Sequence, residues 1–329
     1  MPDKKIIVSG AKPSGKLHLG NYLGALKNFV DLQDKYHCFF FIADLHSLTS
    51  SFSAKEKERQ IIEFAADFLS LGIDPKKSVL FIQSHVPEHS ELTWIFNCLT
   101  PFAELKRMTQ FKDMSEHDPS NINVGLFDYP VLQAADILIY KPAFVPVGKD
   151  QLQHLELTRT IARTFNKRFG RTFPEPEPII TETQNIMSLA NPMKKMSKSH
   201  GLKNYLALTD EPDVIKEKLS KAVTDTGKDK NAAMSPGVKN LFLLLKQFGT
   251  DETYKYFTEA HSKGNIKYSE LKIKLAEDIS SHFADFRAQR KKLLKDPERI
   301  KSIFKDGAEK ARVTARKTLI EVREKIGLV

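Results

Sequence analysis

The sequence predicts an α/β protein in which a doubly wound parallel sheet is followed by a C-terminal all-helical domain. Three observations lead to this prediction. Short apolar runs alternate with amphipathic segments over residues 1–192, and strands that alternate with helices at such spacing form parallel sheets. The runs are continuously apolar, which is typical of strands buried on both faces. After Pro212 every convincing segment has helical periodicity.

The strands and helices of the first half are expected in alternating order. Strands are predicted at residues 6–9, 38–43, 79–83, 144–148 and 178–180. Helices are predicted at residues 19–33, 54–71, 93–99, 101–110 and 151–165. Ser53 and Glu56 have the spacing of a capping box at the start of the second helix, and Gly72 ends that helix. This is a Rossmann-like arrangement, in which ligands bind outside the carboxyl ends of the strands.

The last part of the chain predicts helices that each have one apolar face. Apolar residues recur at helical spacing at Leu271, Leu275, Ile279, Phe283 and Phe286, and again at Ile300, Phe304, Ala308 and Ala311. The formal net charge of the chain is +10, and residues 200–329 hold 27 Lys and Arg against 19 Asp and Glu. A local excess of cations is typical of a surface that binds a polyanion. A solvated, lysine-rich helix surface is the alternative.

The composition excludes several other classes of protein. No run approaches the roughly 18 apolar residues of a membrane-spanning helix. The N-terminus enters the first strand without room for a signal peptide, so we expect a cytoplasmic protein. Cys38 and Cys98 are far apart in apolar settings and predict two buried thiols rather than a disulfide or zinc site. Pro87 falls between His85 and His89 and would interrupt a shared helix, so no metal site is expected.

Two polar loops carry the candidate chemistry. In the first, Gly10, Gly15 and Gly20 let the backbone approach a ligand, and His18 and Asn21 lie one turn apart. A helix N-terminus after this loop would favour anions. The loop has neither GxxxxGK[ST] nor GxGxxG spacing, so it predicts another kind of phosphate site.

The second loop, residues 193–201, is basic and lies where the fold pattern changes. Lys195 and Lys198 have hydroxyl residues beside them, and the two cations can clamp the oxygens of a triphosphate. A position between domains would let this clamp close during a reaction. An interdomain turn with solvated lysines is the alternative. The presence of both loops in this order is a more specific signature than either loop alone.

With both loops present, the sequence resembles the class I aminoacyl-tRNA synthetases, whose signatures appear at residues 18–21 (HLGN) and 195–199 (KMSKS). Within that class it resembles the tryptophanyl-tRNA synthetase family. Further segments that carry the resemblance are residues 9–15, 20–25 (GNYLGA), 44–49 (DLHSLT), 104–112 (ELKRMTQFK), 127–132 (FDYPVL), 134–138 (AADIL), 145–148 (VPVG), 154–159 (HLELTR) and 221–225 (KAVTD). The resemblance covers most of the chain.

The resemblance implies that the carboxylate of L-tryptophan attacks the α-phosphorus of ATP and that the tryptophanyl group then passes to tRNA(Trp). A carboxylate is already ionised at pH 7, so the site would act by positioning and charge neutralisation. Catalytic roles are implied for Lys195, Lys198 and His18. The implied ATP-binding residues are Lys12, Pro13, Ser14, Gly20, Asn21, Gly148, Lys149, Asp150, Ile186, Lys195, Met196, Ser197, Lys198 and Ser199.

The implied amino-acid pocket centres on Asp136, whose carboxylate can accept the single N–H of indole. Apolar neighbours on both sides predict that Asp136 is buried, whereas an exposed helix position is the alternative. The second-rank pocket residues are His46, Tyr129, Gln133 and Gln151.

The resemblance also implies domain limits and partners. Residues 1–192 would form the catalytic domain, 193–201 a mobile lysine loop, 202–295 a helical domain that binds the tRNA anticodon, and 296–329 a C-terminal helix that packs back on the catalytic domain. Mg²⁺ bound through the ATP phosphates and a symmetric homodimer are implied, with no membrane or DNA partner. Two cysteines cannot supply the iron–sulfur cluster found in some relatives.

Four residues depart from the usual pattern of the family. Lys12 and Lys149 stand where Gln and Glu are usual, Gln133 where Met is common, and Val8 where Phe is frequent. Because Gln133 makes the pocket more polar and a phenol also donates to a carboxylate, a tyrosyl-tRNA synthetase is an alternative. A small nucleotidyltransferase and a non-catalytic, synthetase-like RNA-binding protein are the others.

Overall fold

The computed structural model describes residues 4–13, 15–108, 122–180, 185–224 and 234–328. The chain divides into two compact units, one made of Met1–Gly15, Ala25–Glu182 and Leu293–Val329 and the other of Lys16–Gly24 and Thr183–Lys292. We call them the sheet unit and the helical unit. Neither is a continuous segment, so the domain limits expected from the sequence stay predictions.

One parallel sheet is present in the described part of the sheet unit, with the strand order β3-β2-β1-β4-β5. Its strands are β1 (Ile6–Ala11), β2 (His37–Ile42), β3 (Ser78–Ile82), β4 (Phe144–Val147) and β5 (Glu177–Ile180). The chain builds outward from β1 to β3 and then continues on the other side of β1. This order confirms the predicted doubly wound sheet. It also places a topological switch point between β1 and β4, where open sheets bind their ligands.

Helices connect the strands and form most of the remaining described structure. In chain order they are α1 (Leu19–Asn21), α2 (Lys27–Leu32), α3 (Ala54–Ser70), α4 (Glu88–Asn97), α5 (Phe102–Lys106), α6 (Val124–Leu138), α7 (Leu152–Phe169), α8 (Pro212–Ser220), α9 (Pro236–Phe248), α10 (Asp251–Ser262), α11 (Tyr268–His282), α12 (Ala284–Leu293) and α13 (Pro297–Ile326). A π-helical turn, Tyr22–Leu26, links α1 to α2, so the helix predicted at residues 19–33 is irregular. Residues 109 and 110 of the helix predicted at 101–110 lie outside the described residues.

Two local predictions are wrong. Helix α3 begins after Ser53 as expected, but the Ser53 hydroxyl makes no capping hydrogen bond. The sequence pattern does not fix the side-chain rotamer that a capping box needs. Cys38 is buried, whereas Cys98 is exposed because it follows the last residue of α4 at the protein surface.

The C-terminal helix α13 packs along β3, the edge strand of the sheet. The predicted apolar positions Ile300, Phe304, Ala308 and Ala311 are all buried. Covering an edge strand shields its unpaired backbone groups from other chains. Helix α13 therefore completes the sheet unit, although it comes last in the chain.

The helical unit has its own apolar core. Its predicted face on α11 and α12 is buried, at Leu271, Leu275, Ile279, Phe283 and Phe286. In the part of the chain that the structure describes, no helix is long and apolar enough to cross a membrane.

Candidate active site

The segment that carries His18 pairs with a later segment of the helical unit. His18 forms an antiparallel bridge with Ala207. The Leu19 N–H donates to the carbonyl of Leu206 at 3.1 Å. The His18 N–H donates to Oδ1 of Asn21 at 3.1 Å, which fixes that side chain at the start of α1.

The basic loop is anchored beside this segment. The Met196 N–H donates to the carbonyl of Ile186 at 2.9 Å, and the Met196 side chain is buried. A β-carbon placed on Gly20 would lie 3.9 Å from Cβ of Met196. The structure therefore brings the two signature loops together within the helical unit.

His18 is a neutral imidazole at neutral pH. Burial and the nearby Lys198 cation lower the pKa of His18 to about 4. Its Nδ1 atom is buried and has no hydrogen-bond partner among the described residues. A buried ring nitrogen of this kind suits a polar ligand atom, because an unpaired polar group in the interior is costly.

The serines of the basic loop bond to each other. Ser197 Oγ lies 2.8 Å from Ser199 Oγ and accepts from the Ser199 N–H at 3.3 Å. A short 3₁₀ turn, Lys198–His200, follows. Lys195 is exposed and Lys198 is half-buried, so the two lysines of the signature have different environments.

In the sheet unit, Lys12 lies just beyond β1 at the switch point. Its Nζ donates to Oγ of Ser50 at 2.9 Å and to Oγ1 of Thr49 at 3.2 Å. Burial and the neighbouring Lys57 cation lower the pKa of Lys12. This lysine is thus held in place by hydroxyl groups, without a carboxylate among its hydrogen-bond acceptors in the described residues.

The second switch-point element is the turn after β4. Lys149–Gln151 forms a 3₁₀ turn, and the Gln151 N–H donates to the carbonyl of Gly148 at 2.9 Å. The Gln151 amide donates to Oδ2 of Asp150 at 3.1 Å. Lys149 and Asp150 are exposed.

Asp136 is the centre of a buried polar network in the sheet unit. It lies on α6, its side chain is 1% exposed, and burial opposes its ionisation. Hydrogen bonds from His46 and His89 nevertheless lower the pKa of Asp136 to about 2. An ionised carboxylate only accepts hydrogen bonds, so both histidine nitrogens that face it carry hydrogens.

The contacts to Asp136 occupy both of its oxygens. Oδ1 lies 2.5 Å from His89 Nδ1, and Oδ2 lies 2.7 Å from His46 Nε2. The Gln83 amide nitrogen lies 2.8 Å from Oδ1 and 2.9 Å from Oδ2. Tyr140 Oη lies 2.7 Å from the other ring nitrogen of His89, Nε2. Burial raises the pKa of Tyr140. The neutral phenol donates to His89, which donates in turn to Asp136.

Tyr129 and His154 form a second polar pair near His46. The Tyr129 ring lies edge-on to the His46 ring, with their centroids 6.2 Å apart. Tyr129 Oη and His154 Nε2 are 2.9 Å apart. Burial raises the pKa of Tyr129 to about 12 and lowers the pKa of His154 to about 4, so both are neutral at pH 7.

The predicted site residues fall into two sets. His18, Gly20, Asn21, Ile186 and residues 195–199 belong to the helical unit, and Lys12, Pro13, His46, Tyr129, Gln133, Asp136 and residues 148–151 belong to the sheet unit. Ser14 lies outside the described residues. Gln133 and Gln151 are half-buried, and Val8 is part of the apolar core.

Sequence reasoning missed Gln83, His89 and Tyr140. In the sequence, His89 stands out only through its spacing from His85, and the described residues contain no cluster of three or more His, Cys, Asp or Glu that could hold a metal. A signal for Gln83 was available, because it is the last residue of the strand predicted at residues 79–83, and ligands bind at the carboxyl ends of parallel strands. Nothing in the local pattern predicts that His89 links Asp136 to Tyr140.

Comparison with known proteins shows which family this chain matches. A family model described as tRNA synthetases class I (W and Y) matches residues 2–284. A protein named tryptophan--tRNA ligase from Clostridium tetani is 45% identical over 330 residues, covering 99% of this chain and 97% of the relative. One of the same name from Clostridium perfringens is 46% identical over 332 residues, with 99% and 98% covered.

Solved structures agree with these relatives. The crystal structure of tryptophanyl-tRNA synthetase from Campylobacter jejuni complexed with ADP and tryptophane has a TM-score of 0.86 at 38% identity, covering 98% of this chain and 100% of that chain. The enzyme from Mycoplasma pneumoniae has a TM-score of 0.87 at 34% identity, covering 99% and 98%. With its two signature loops, its doubly wound sheet and these matches, the chain belongs to the class I tRNA synthetases of the tryptophan and tyrosine family.

Proposed function

We propose that this chain is a tryptophan--tRNA ligase, which activates L-tryptophan with ATP to tryptophanyl-adenylate and transfers it to tRNA(Trp). Full-length relatives of that name at 45–46% identity support tryptophan over the tyrosyl and non-catalytic alternatives. The observation in the structure that carries the proposal is the buried, acceptor-only carboxylate of Asp136. Indole offers one N–H donor and no acceptor, which matches such a carboxylate.

The amino-acid pocket would recognise the indole ring through its N–H and its shape. Asp136 would accept the indole N–H, and His46, Tyr129, Gln133 and Gln151 would line the pocket around it. Phenylalanine has no N–H and could not make this hydrogen bond to the buried carboxylate, so it would bind more weakly than tryptophan. Specificity would therefore depend on the N–H donor as well as on size.

Activation would proceed by positioning and charge neutralisation. The ionised carboxylate of tryptophan would attack the α-phosphorus of ATP, and pyrophosphate would leave with additional negative charge. Lys195 and Lys198 would stabilise that charge, assisted by Ser197 and Ser199. His18 is neutral, so it would hold the nucleotide through a hydrogen bond rather than through charge.

The remaining nucleotide contacts would come from both signature elements and the switch point. Met196, Ile186, Gly20 and Asn21 would contact ATP in the helical unit. In the sheet unit, Lys12, Pro13, Ser14, Gly148, Lys149 and Asp150 would contribute. Lys12 is already held in position by hydroxyls, so it would offer its charge to a phosphate without reorganising.

Mg²⁺ would be bound through the ATP phosphates. Phosphate oxygens and water are the ligands that Mg²⁺ prefers in nucleotide sites, and the described residues contain no group of three or more His, Cys, Asp or Glu that could hold a metal ion. When bound, the ion would neutralise charge on the leaving pyrophosphate.

A symmetric homodimer is part of the proposal, as is a cytoplasmic location where tRNA is charged. Trp94 on α4, Phe102 on α5 and Val124 at the start of α6 are 70%, 62% and 81% exposed. Exposed large apolar side chains on neighbouring elements of one unit support a protein partner there. Sedimentation equilibrium of the wild type and of Trp94→Glu tests the dimer.

The function is tested by ATP–pyrophosphate exchange with purified protein. The proposal predicts exchange that depends on tryptophan and is far slower with tyrosine at the same concentration. Exchange that tyrosine supports as well as tryptophan would favour the tyrosyl alternative. No amino-acid-dependent exchange from folded protein would favour the non-catalytic alternative.

A further inference from the structure

The carboxylate of Asp136 has no vacant oxygen. Oδ1 is contacted by His89 and Gln83, and Oδ2 by His46 and Gln83, at 2.5–2.9 Å. Each carboxylate oxygen has about two lone-pair sites. An indole N–H can therefore bond to Asp136 only if one of the present donors leaves.

Two of the three side chains that donate to Asp136 are fully buried and make a second hydrogen bond each. His89 and Gln83 are each 0% exposed. The second ring nitrogen of His89 is bonded to Tyr140 at 2.7 Å, and Oε1 of Gln83 accepts the Leu45 N–H at 3.2 Å. Moving either side chain would break this second bond as well and leave a buried polar group unpaired.

His46 differs from both in exposure and in attachment. Its side chain is 14% exposed, against 1% for Asp136. In the described structure its ring has one side-chain hydrogen bond, the 2.7 Å contact with Oδ2. His46 is thus the donor whose departure disturbs the fewest other contacts.

A cavity adjoins the turn that carries His46. His46 begins a 3₁₀ turn, His46–Thr49, and the cavity, of about 420 Å³, is lined by its neighbours Leu45, Leu48 and Thr49 together with Tyr129. Tyr129 is the aromatic ring against which His46 packs. Residues next to His46 thus border open space, whereas His89 and Gln83 are fully buried.

We propose that His46 is an exchangeable donor, which occupies Oδ2 of Asp136 when the pocket is empty and is replaced by the indole N–H of tryptophan. His89 and Gln83 are positioning residues that keep the carboxylate oriented throughout. This inference rests on the proposed function, because it concerns how the same site recognises tryptophan.

The exchange has a consequence for specificity that can be measured. A tryptophan analogue without the N–H, such as 3-(benzothiophen-3-yl)alanine, has nearly the same shape but cannot replace His46. In the wild type His46 stays on Oδ2 when this analogue binds, so the carboxylate remains paired. In His46→Ala the analogue leaves Oδ2 with the Gln83 amide as its one remaining donor, whereas tryptophan supplies a second donor of its own.

The test is the ratio of kcat/KM for tryptophan to kcat/KM for the benzothiophene analogue, measured by pyrophosphate exchange. We expect His46→Ala to raise this ratio about ten- to a hundredfold, the value of one hydrogen bond to a buried charge. Because the two ligands have nearly the same shape, a change in pocket volume affects them similarly. His85→Ala, an exposed histidine after β3, is the matched control and should leave the ratio unchanged.

An unchanged or lower ratio in His46→Ala would overturn the inference, since His46 would then not compete with the indole N–H. A wild type with no tryptophan-dependent exchange would instead contradict the proposed function. A second measurement does not depend on a variant's folding. In ¹⁵N-histidine-labelled wild type, tryptophan should shift the ring nitrogens of His46 and leave those of His89 in place; a shift at His89 alone would overturn the inference.

Discussion

A β-carbon added to Gly307 would lie 1.7 Å from the carbonyl oxygen of Leu80. Helix α13 therefore rests directly on the backbone of the edge strand β3, and any side chain at this position separates the two. The contact explains how a helix at the end of the chain covers the edge of a sheet that begins at residue 6.

Gly307→Ala should therefore destabilise the protein by about 1–3 kcal/mol, the usual cost of overpacking. The direction of this change in the free energy of unfolding is informative, because alanine inside a helix is otherwise more stable than glycine by roughly 0.5–1 kcal/mol. Urea denaturation measures the change. Gly24→Ala, at a helical glycine whose added β-carbon would meet nothing within 4 Å, is the control, and a Gly307→Ala protein as stable as that control would disprove the packing argument.

Lys198→Ala should lower the rate of tryptophan-dependent pyrophosphate exchange about a hundred- to a thousandfold. One charged donor to a developing anion is worth about 2.7–4 kcal/mol of the barrier. The exposed Lys203 lies a few residues further on, and Lys203→Ala should stay near the wild-type rate. A Lys198→Ala enzyme within a few fold of the wild type would remove this lysine from the chemistry.

Asp136→Asn should raise the KM for tryptophan about ten- to a hundredfold and leave the KM for ATP near its wild-type value. The amide replaces one acceptor oxygen with a donor that faces the N–H groups of the surrounding network, and a buried mismatch of this kind costs about 1.5–3 kcal/mol. Asp128→Asn is a matched control, because Asp128 is half-buried on the same helix and accepts from Asn97 at 2.9 Å. Equal effects of the two substitutions would contradict a specific role for Asp136.

Stability should decrease as the pH falls from 6.5 toward 4. His18 and His154 each have a folded-state pKa of about 4 against an ordinary 6.5, so the unfolded chain binds more protons in this window. Their stabilisation is present above pH 6.5 and is lost as the pH approaches 4. His154→Gln should reduce the pH dependence of the free energy of unfolding between these values; a slope equal to that of the wild type would contradict a buried neutral His154.

Features that depend on residues close together in the chain could be predicted from the sequence, whereas features that depend on residues far apart in the chain could not. The strands and the buried faces of α11 to α13 could be predicted because each depends on apolar periodicity within one segment. The signature loops could be recognised because each is contiguous. The partners of Asp136 could not, because Gln83 follows β3 and His89 lies on α4, and only the folded sheet unit brings these elements to α6.

Local chemistry was predicted less well than periodicity. The capping box at Ser53 and the burial of Cys98 were both inferred from neighbouring residues, yet each depends on a side-chain direction that the neighbours do not determine. Gly307 gave no sequence signal either, because a glycine inside a helix acquires its meaning from the strand that it touches.

Aminoacylation tests the central claim most directly. Purified protein is incubated with ATP, Mg²⁺ and either labelled tryptophan or labelled tyrosine, in the presence of a tRNA(Trp) or a tRNA(Tyr) transcript. The account predicts that tryptophan is attached to tRNA(Trp) and that the other three combinations remain near background. Attachment of tyrosine to tRNA(Tyr), or no attachment of tryptophan by a protein that is folded, would contradict it.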